Sequence, residues 1–269
     1  MRRLLLASVL LAGMVTALEG QQERREFPPT TAPLSRALTV LTFNIHHAED
    51  TDGKVDVGRI AKLIQNSQAD IVGLQEVDRG VERTARRDLL KEIADHAGMR
   101  FAFGKNLDHQ GGDYGNALLT SLPIVSVGNK RLPNTGGGEQ RGVLQVVVDV
   151  EGTQVLVLTT HLDHRKEDPQ RVASADAILD MVQAFGPGPV VAMGDFNDVP
   201  GSATWTRLMT VFTDTWAAVG SGDGFSIPVE APAKRIDWIL VRGAEPVSAE
   251  VLKSEASDHL PVVARVKLR

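Results

Sequence analysis

Short apolar runs rich in β-branched residues recur along the chain, and patterns typical of helices interrupt them. Runs of this kind, bounded by turn residues, are typical of buried strands. The predicted strands cover residues 38–45, 70–74, 100–105, 115–120, 124–130, 142–150, 153–160, 190–193, 236–241, 247–252 and 261–267. Many strands with helices between them predict two β-sheets that pack face to face and are covered by helices.

Three helices are predicted from the spacing of their apolar residues and from the residues at their ends. They cover residues 57–64, 89–97 and 169–185. Asp56 and Asp168 stand where an N-cap accepts hydrogen bonds from free backbone N–H groups. Gly98 follows the second helix, at the position where a left-handed residue commonly ends a helix. Strands and helices together predict the α/β class.

The first 20 residues have the three regions of a secretory signal peptide. Arg2 and Arg3 precede an apolar run, Leu4–Val15, and small residues follow. The run is shorter than the roughly 20 apolar residues that a transmembrane helix needs. We therefore expect residues 1–20 to be removed on export to the periplasm or the medium, which leaves no membrane span. An uncleaved N-terminal anchor is the alternative.

The rest of the chain predicts one domain behind a short linker. Residues 21–36 are polar and Pro-rich, which indicates a flexible linker. Residues 37–269 show no change of composition and no internal repeat. With 42% hydrophobic and 23% charged residues, the whole chain has a composition typical of a soluble globular protein. We expect residues 37–269 to form a single domain and to act as a monomer.

Composition argues against some classes of function. The net charge is −5 and aromatic residues make up 4% of the chain, with a single Tyr. A protein that holds long nucleic acid normally has a basic surface and aromatic side chains for stacking, so nucleic acid is a disfavoured partner. The chain has no Cys, which excludes thiolate nucleophiles and zinc–sulfur sites.

Several predicted strands begin or end at a short polar cluster. Functional sites in packed α/β proteins gather where strand ends converge. An ordinary turn explains one such cluster, but it does not explain seven in one chain. The clusters are Asn44, Gln75-Glu76, Asn116, His161-Leu162-Asp163, Gly194-Asp195-Phe196-Asn197, Arg235-Ile236-Asp237 and Ser257-Asp258-His259.

The residue types in these clusters suit the hydrolysis of phosphate esters. Because a phosphodiester is anionic, its hydrolysis needs charge neutralisation, an activated water and a stabilised leaving group. Mg²⁺ prefers carboxylate and amide oxygens, and Mn²⁺ is the second candidate. Glu76 and Asp258 are therefore candidate metal ligands, with Asn44 nearby.

Two histidines are candidates for proton transfer and charge stabilisation. His259 opens the last strand, and Asp237 is the candidate carboxylate that would hold its imidazole in one tautomer. His161 ends another strand and would contact phosphate. A zinc site formed by His46, His47 and His161 is an alternative, but no HxxxH or HExxH spacing supports it.

Three further side chains complete the predicted site. Asp195 and Asn197 lie two residues apart after a strand, so both can turn toward one pocket. One of them would orient the attacking water and the other would hold a phosphate oxygen. Arg141 would add a positive contact to the substrate.

The order of these clusters resembles the motifs of the endonuclease/exonuclease/phosphatase superfamily. The resemblance covers essentially all of residues 38–269. FAFGKN, GDYGNALLTSLPI and GDFNDVP are similar to stretches of its small bacterial metal-dependent hydrolases, some of which are exported. One departure is Thr120-Ser121-Leu122-Pro123, where relatives often carry a basic and an aromatic residue, so this chain lacks both beside the site. The matching stretches are Asn44-Ile45, Leu74-Gln75-Glu76-Val77, Tyr114-Gly115-Asn116-Ala117, Arg141-Gly142, Thr160-His161-Leu162-Asp163, Gly194-Asp195-Phe196-Asn197, Arg235-Ile236-Asp237 and Ser257-Asp258-His259-Leu260-Pro261.

The resemblance implies a four-layered α/β sandwich with two packed mixed β-sheets flanked by helices and the site at one end of the sheets. It implies that Glu76 is the central Mg²⁺ ligand, with Asn44 and Asp258 beside it. It also implies that His259 is a general base or acid paired with Asp237. The remaining roles it implies are water and phosphate positioning by Asp195 and Asn197, phosphate contact by His161 and Tyr114, and substrate binding by Arg141 and Asn116.

Three functions stay open at this point. The first is a metal-dependent phosphodiesterase that acts on a small or lipid-derived phosphate ester by in-line attack of an activated water. The second is an exported endonuclease or exonuclease with the same catalytic residues, acting on DNA or RNA. The third is a binding module that has lost the chemistry, which would require an essential group to be missing from the motifs.

Overall fold

The computed structural model describes residues 37–269. The signal peptide predicted for residues 1–20 and the linker predicted for residues 21–36 lie outside the described residues. Two six-stranded sheets form the centre of the described part, and helices cover both outer faces. In chain order, the elements are β1 Leu38–Asn44, α1 Val57–Ser67, β2 Ile71–Arg79, α2 Leu89–Ala97, β3 Arg100–His109, β4 Gly112–Thr120, β5 Ile124–Arg131, β6 Gly142–Val150, β7 Thr153–His161, α3 Pro169–Phe185, β8 Val190–Asp195, α4 Ala203–Leu208, β9 Thr213–Asp214, α5 Thr215–Val219, β10 Asp237–Arg242, β11 Ala244–Val251 and β12 Val262–Leu268.

Both sheets are mixed. The first has the order β11-β12-β1-β2-β4-β3, and the second has the order β5-β6-β7-β8-β10-β9. Each contains one parallel pair, β1 with β2 and β7 with β8, while the other pairs are antiparallel. A parallel pair needs a crossover, and α1 and α3 supply the two crossovers. The carboxyl ends of β1 and β2 therefore meet at one edge, as do those of β7 and β8.

Three apolar layers hold the sandwich together. Strand side chains alternate between the two faces of a sheet, so Val40 of β1 points into the layer between the sheets and Leu41 points toward α1 and α2. The third layer packs the second sheet against α3 and α4, and it includes Ile178 and the buried Trp238. Helix, sheet, sheet and helix make four layers, which confirms the predicted four-layered α/β sandwich.

The predicted helices are confirmed, with small differences at their ends. The first extends three residues further than predicted, and Asp56 caps it by accepting a hydrogen bond from the backbone N–H of Arg59 at 3.0 Å. Gly98 ends α2 in a left-handed conformation, as expected. Asp168 stands at the N-cap of α3, but its side chain accepts no capping hydrogen bond. No helix among residues 37–269 is long and apolar enough to cross a membrane.

The polar residues Gln75 and Glu76 do not end their strand, which differs from the sequence-based prediction. β2 continues to Arg79 through a β-bulge, where the register against β4 shifts between Leu74 and Val77. Glu76 occupies this bulge with φ +59°. A bulge re-aims a side chain in the middle of a strand and is common beside active sites. Asn116 likewise lies within β4 rather than at its end.

Gly194 allows the two strands that carry His161 and Asp195 to approach closely. A Cβ atom at Gly194 would lie 1.9 Å from the backbone oxygen of Thr160, and the φ of Gly194 is +148°. Only glycine fits such a contact and such a backbone angle. The parallel register of β7 with β8 then sets His161 opposite Asp195.

Candidate active site

Strand ends from both sheets place the predicted site residues at one end of the sandwich. Asn44 ends β1, His161 ends β7 and Asp195 ends β8. Asp237 opens the antiparallel neighbour β10 and pairs with Asp195 in the strand register. His259 lies in the loop directly before β12. Residues up to 215 positions apart in sequence, from Asn44 to His259, therefore meet because of the sheet topology.

His259 and Asp237 form a buried imidazole–carboxylate pair. His259 Nδ1 lies 2.8 Å from Asp237 Oδ2, and both side chains are almost fully buried. A carboxylate can only accept, so Nδ1 carries the proton. Ser226 also donates its hydroxyl to Asp237 Oδ2, at 2.6 Å. The geometry orients the His259 ring with Nδ1 toward Asp237 and with Nε2 toward the pocket.

Asp195 lies at the centre of the site. Its Oδ2 is 3.5 Å from His161 Nε2 and 3.7 Å from His259 Nε2. Its Oδ1 accepts a hydrogen bond from the backbone N–H of Asn197 at 2.9 Å. Asn197 also donates from Nδ2 to the backbone oxygen of Leu162, which fixes the turn after β8.

Charge and burial give these groups unusual pKa values. Burial alone would lower the pKa of His259, but the carboxylates of Asp237, Asp195 and Asp258 outweigh burial and raise it to about 10. Burial, followed by the negative charge of Asp237, raises the pKa of Asp195 to about 7. Burial and the nearby Arg141 lower the pKa of His161 well below its usual value. At neutral pH, His259 is therefore an imidazolium, while Asp195 titrates.

Asn44 contacts two carboxylates of the site. Its Oδ1 accepts the backbone N–H of His46 at 3.1 Å, which orients the amide. Its Nδ2 donates to Glu76 Oε1 at 3.0 Å and to Asp195 Oδ2 at 3.1 Å. Asn44 thus links the Glu76 side of the site to the Asp195 side. Its assignment as a metal ligand stays a prediction.

Two histidines lie beside Glu76. Ligand atoms of His46, His47 and Glu76 all lie within 4.8 Å of one another. Asp258 is close to this group, because its Oδ1 is 4.0 Å from His46 Nδ1, and its side chain is 54% exposed. Carboxylate and imidazole donors together fit a divalent cation. His47 supports the fit, because its Nδ1 is buried and has no hydrogen-bond partner in the part of the chain that the structure describes.

A second group with cation-ligand atoms consists of Asp195, Asp237 and His259. Their ligand atoms also lie within 4.8 Å of one another. All three side chains are buried, and the short His259–Asp237 contact already uses the imidazole Nδ1. We therefore interpret this group as a set of residues for proton transfer. The Glu76 group is the better cation site.

A pocket of about 260 Å³ opens above these residues. Arg141 lies in its wall and is 2% exposed, and it is positioned by Glu139 at 3.1 Å, His161 Nδ1 at 3.2 Å and His164 Nδ1 at 3.2 Å. A guanidinium only donates, so His161 Nδ1 accepts and the proton of this neutral imidazole lies on Nε2. The lining residues are Glu76, Arg83, Leu107, His109, Tyr114, Glu139, Arg141, His161, His164, Asp195, Asn197 and His259.

Arg83 is a pocket residue that the sequence analysis missed. Its guanidinium donates two hydrogen bonds of 2.8 Å to the buried carboxylate of Asp78. It also lies over the ring of Tyr114, 5.6 Å from the centroid. Burial and the charge of Glu76 raise the pKa of Tyr114 well above its usual value, so this phenol keeps its proton. Arg83 follows a turn outside the strand-end clusters, so no local pattern identified it.

Four predicted site residues do not line the pocket, namely Asn44, Asn116, Asp237 and Asp258. Asn116 is 1% exposed and donates from Nδ2 to the backbone oxygen of Gly142 at 3.0 Å, which links β4 of one sheet to β6 of the other. This contact indicates a structural role, and the substrate-binding role of Asn116 stays a prediction. Asp258 lies outside the lining as well, on the His46 side of the cation group.

The fold and the site together define an α/β-sandwich protein with a polar pocket across the ends of its two sheets. The chain belongs to the endonuclease/exonuclease/phosphatase family, whose sequence model matches residues 41–259. This result confirms the resemblance seen in the sequence motifs. Members of this family are phosphoester hydrolases.

Three known proteins illustrate the similarity. The uncharacterised protein YbhP of Escherichia coli K12 is 28% identical over 248 residues, which cover 86% of this chain and 97% of that protein. A crystal structure of an endonuclease/exonuclease/phosphatase from Beutenbergia cavernae is 28% identical, with a TM-score of 0.73 over 87% of this chain and 72% of that one. The mannosyl-6-phosphatase of Bacteroides thetaiotaomicron shares the fold at 20% identity, with a TM-score of 0.73 over 85% of this chain and 99% of that one.

Proposed function

We propose that this protein is a divalent-metal-dependent phosphodiesterase that cleaves a small or lipid-derived phosphate ester by in-line attack of water. One observation carries the proposal. The buried His259–Asp237 pair and Asp195 face the same pocket as Glu76 and Arg141. The pocket thus combines proton-transfer groups, a cation ligand and a fixed positive charge. These groups could activate a water, stabilise the leaving group and neutralise phosphate charge, as phosphate-ester hydrolysis requires.

Glu76 would hold the cation, with Asp258 on the same side of the pocket. A bound divalent cation would neutralise phosphate charge and stabilise the leaving oxygen. Mg²⁺ is the expected ion and Mn²⁺ the second candidate. Asn44 would keep the carboxylate of Glu76 in position through its hydrogen bond of 3.0 Å.

We assign the proton acceptor to Asp195 and the positive charge to His259. With a pKa of about 7, Asp195 can take the proton of the attacking water at neutral pH. With a pKa of about 10, His259 is protonated and would stabilise the charge that develops on a phosphate oxygen. The sequence analysis expected His259 to act as a general base or acid. In this assignment His259 keeps the acid role and Asp195 takes the base role. Asn197 would hold Asp195 in position through its backbone N–H.

The phosphate group would be held by the donors of the pocket wall. Arg141 and Arg83 both line it, and each is oriented by a carboxylate, Glu139 or Asp78. The neutral phenol of Tyr114 would add a hydrogen bond. His161 would present its Nε2 proton between Asp195 and the phosphate. Forked guanidinium contacts are well suited to phosphate oxygens.

The pocket supports a compact polar substrate. Its volume of about 260 Å³ leaves space for a phosphate and a small attached group, and Leu107 is the one aliphatic side chain in its lining. For a lipid-derived substrate, the head group would enter the pocket while the chains stay outside. The signal-peptide pattern supports an exported enzyme, which cell fractionation with an antibody against the chain would test.

A substrate panel tests the proposal. Purified protein should hydrolyse bis-p-nitrophenyl phosphate with Mg²⁺ or Mn²⁺, and EDTA should abolish the activity. Phospholipid head groups, cyclic and linear nucleotides, sugar phosphates, plasmid DNA and single-stranded DNA would then be compared. Full activity in EDTA would remove the metal from the proposal. A marked preference for DNA would favour the exported nuclease instead.

A further inference from the structure

We infer that the cation at Glu76 is also held by imidazole nitrogen from His46 and His47, so that the site selects a transition metal such as Mn²⁺ over Mg²⁺. The inference rests on the proposed function only in placing a cation at Glu76. It concerns two residues that follow β1 and whose role in the site the family resemblance leaves open. It also changes the expected metal from an ion that prefers oxygen ligands to one that accepts nitrogen.

The first support is the geometry of the group. One ligand atom from each of His46, His47 and Glu76 lies within 4.8 Å of the other two, a spacing that one ion can bridge. His46 is 36% exposed at its side chain, so it is accessible from the site. Asp258 Oδ1, 4.0 Å from His46 Nδ1, supplies a further carboxylate on the same side.

The second support is the state of the His47 ring. Its Nε2 lies 3.3 Å from Glu49 Oε2. Since a carboxylate only accepts, the ring proton lies on Nε2, and Nδ1 is left with a free electron pair. That Nδ1 atom is buried and has no hydrogen-bond partner among residues 37–269, while the side chain as a whole is 9% exposed. A buried acceptor without a donor is costly, and a cation would satisfy it.

Glu49 and His47 thus form the carboxylate–histidine arrangement that commonly supports a metal ligand. Such an outer carboxylate fixes the tautomer and orientation of the ring and makes the other nitrogen more basic. The fact that His47 meets Glu49 through Nε2 indicates that Nδ1 is the ligating atom.

The placement of the histidines is coupled to that of Glu76 by a single side chain. Asn44 accepts the backbone N–H of His46 through Oδ1 and donates to Glu76 through Nδ2. The backbone N–H of Ile45 also donates to the backbone oxygen of Gln75 at 3.2 Å. The turn that carries the histidines and the bulge that carries Glu76 are therefore held together as one unit.

The donor set determines which ion is preferred. Mg²⁺ favours oxygen ligands and gives up water reluctantly. Imidazole suits transition metals, and for the same nitrogen and oxygen ligands their affinity exceeds that of Mg²⁺. A mixed set of two imidazoles and one or two carboxylates should therefore bind Mn²⁺ more tightly than Mg²⁺.

Metal binding without substrate tests this inference. Protein stripped with EDTA would be titrated with Mn²⁺, and free Mn²⁺ would be followed by electron paramagnetic resonance in competition with Mg²⁺. The variants are His46→Ala and His47→Gln, with His96→Ala on the exposed face of α2 as the matched control. Pulsed electron paramagnetic resonance of the Mn²⁺ complex would detect the ¹⁴N nucleus of an imidazole that binds the ion directly. Melting curves in EDTA would show that each variant is folded.

We expect wild-type protein and His96→Ala to bind Mn²⁺ at least about tenfold more tightly than Mg²⁺, with a ¹⁴N signal. Loss of an outer carboxylate commonly lowers metal affinity about 10–100-fold, so loss of a ligating imidazole should cost at least as much. His46→Ala should weaken Mn²⁺ binding by about tenfold or more and reduce the ¹⁴N signal, and Mg²⁺ binding should change less.

Equal affinities for the two ions, an absent ¹⁴N signal in the wild type, or unchanged Mn²⁺ binding in His46→Ala would each overturn the inference. If His47→Gln does not fold, His46→Ala and the ¹⁴N signal still decide. Because binding is measured without substrate, the result is independent of the phosphoesterase assay. Absence of hydrolysis with either metal would contradict the proposed function alone.

Discussion

His259 Nδ1 lies 2.8 Å from Asp237 Oδ2, and both side chains are shielded from solvent. The two residues are 22 positions apart in sequence, and the packing of the β12 entry against β10 brings them together. Burial alone would disfavour the charged imidazole, but the Asp237 carboxylate is the leading charge that outweighs burial and raises the pKa of His259. Asp237 thus controls the orientation and the charge of His259.

Replacing Asp237 with asparagine should remove that control. Asp237→Asn should lower kcat by about 10²–10⁴-fold, the usual contribution of a positioned acid or base. The pKa of His259 should fall, because the Asp237 carboxylate is the leading charge that raises it. Steady-state kinetics and NMR titration of the imidazole would measure both effects. Asp180→Asn on α3 is the matched control, and equal kcat values for the two variants would contradict the role of Asp237.

Replacement of Glu76 should impair both metal binding and metal-dependent activity. Glu76→Gln keeps the size of the side chain but removes the negative charge, and a catalytic metal supplies several kcal/mol of charge stabilisation. We therefore expect kcat to fall by about 10²-fold or more and the Mn²⁺ affinity to fall with it. Calorimetric metal titration and a diesterase assay would measure the two changes. Wild-type metal binding in Glu76→Gln, compared with the exposed Glu167→Gln, would show that the ion binds elsewhere.

Arg141 should act mainly on substrate binding. Lysine keeps the positive charge but lacks the two guanidinium nitrogens that contact His161 and His164 while the group faces the pocket. Arg141→Lys should therefore raise KM by about tenfold, as expected for the loss of one charge-assisted hydrogen bond. Arg265→Lys on the exposed side of β12 serves as the control. A KM for Arg141→Lys equal to that of the control would exclude a direct phosphate contact.

The pH dependence of stability, measured in EDTA, should reveal the raised pKa of Asp195. Its folded pKa of about 7 is above the ordinary value of 3.8, so the folded state favours the protonated carboxyl. The corresponding stability is fully present below about pH 4 and is lost as the pH rises through 7. The melting temperature should therefore decline over this range by a smaller amount in Asp195→Asn than in the wild type. An equal decline of melting temperature with pH in the two proteins would contradict the raised pKa of Asp195.

Gly194 should be required for the close approach of β7 and β8. Gly194→Ala would push a Cβ atom against the backbone of Thr160 and force a strained φ, so we expect it to cost at least about 1–3 kcal/mol. Gly128 lies in a strand of the same sheet with no atom within 4 Å of an added Cβ, so Gly128→Ala is the control. Chemical denaturation measures both. Equal unfolding midpoints would contradict the close contact.

Short elements were the hardest part of the fold to predict. The helices α4 and α5 have six and five residues, and β9 has two. Helices this short are not stable by themselves, so their sequence carries little periodic signal. Tertiary contacts hold them instead. Asp214 caps α5, accepts a hydrogen bond from Trp205 Nε1 and pairs with the buried Arg235 through two contacts of about 3 Å.

Local sequence determined the strands, the three long helices and the identity of most residues in the pocket. These features depend on the period of apolar side chains and on short polar motifs, which neighbouring residues encode. Tertiary structure alone decided how side chains from distant strands orient toward one another. It turned the Asn44 amide toward two carboxylates, placed Glu76 in a bulge, brought Arg83 to the pocket and left Asn116 between the sheets. Those outcomes depend on strand register and long-range packing. Groups far apart in the chain compete to hydrogen-bond the same side chain, and only the folded structure decides which of them lies close enough.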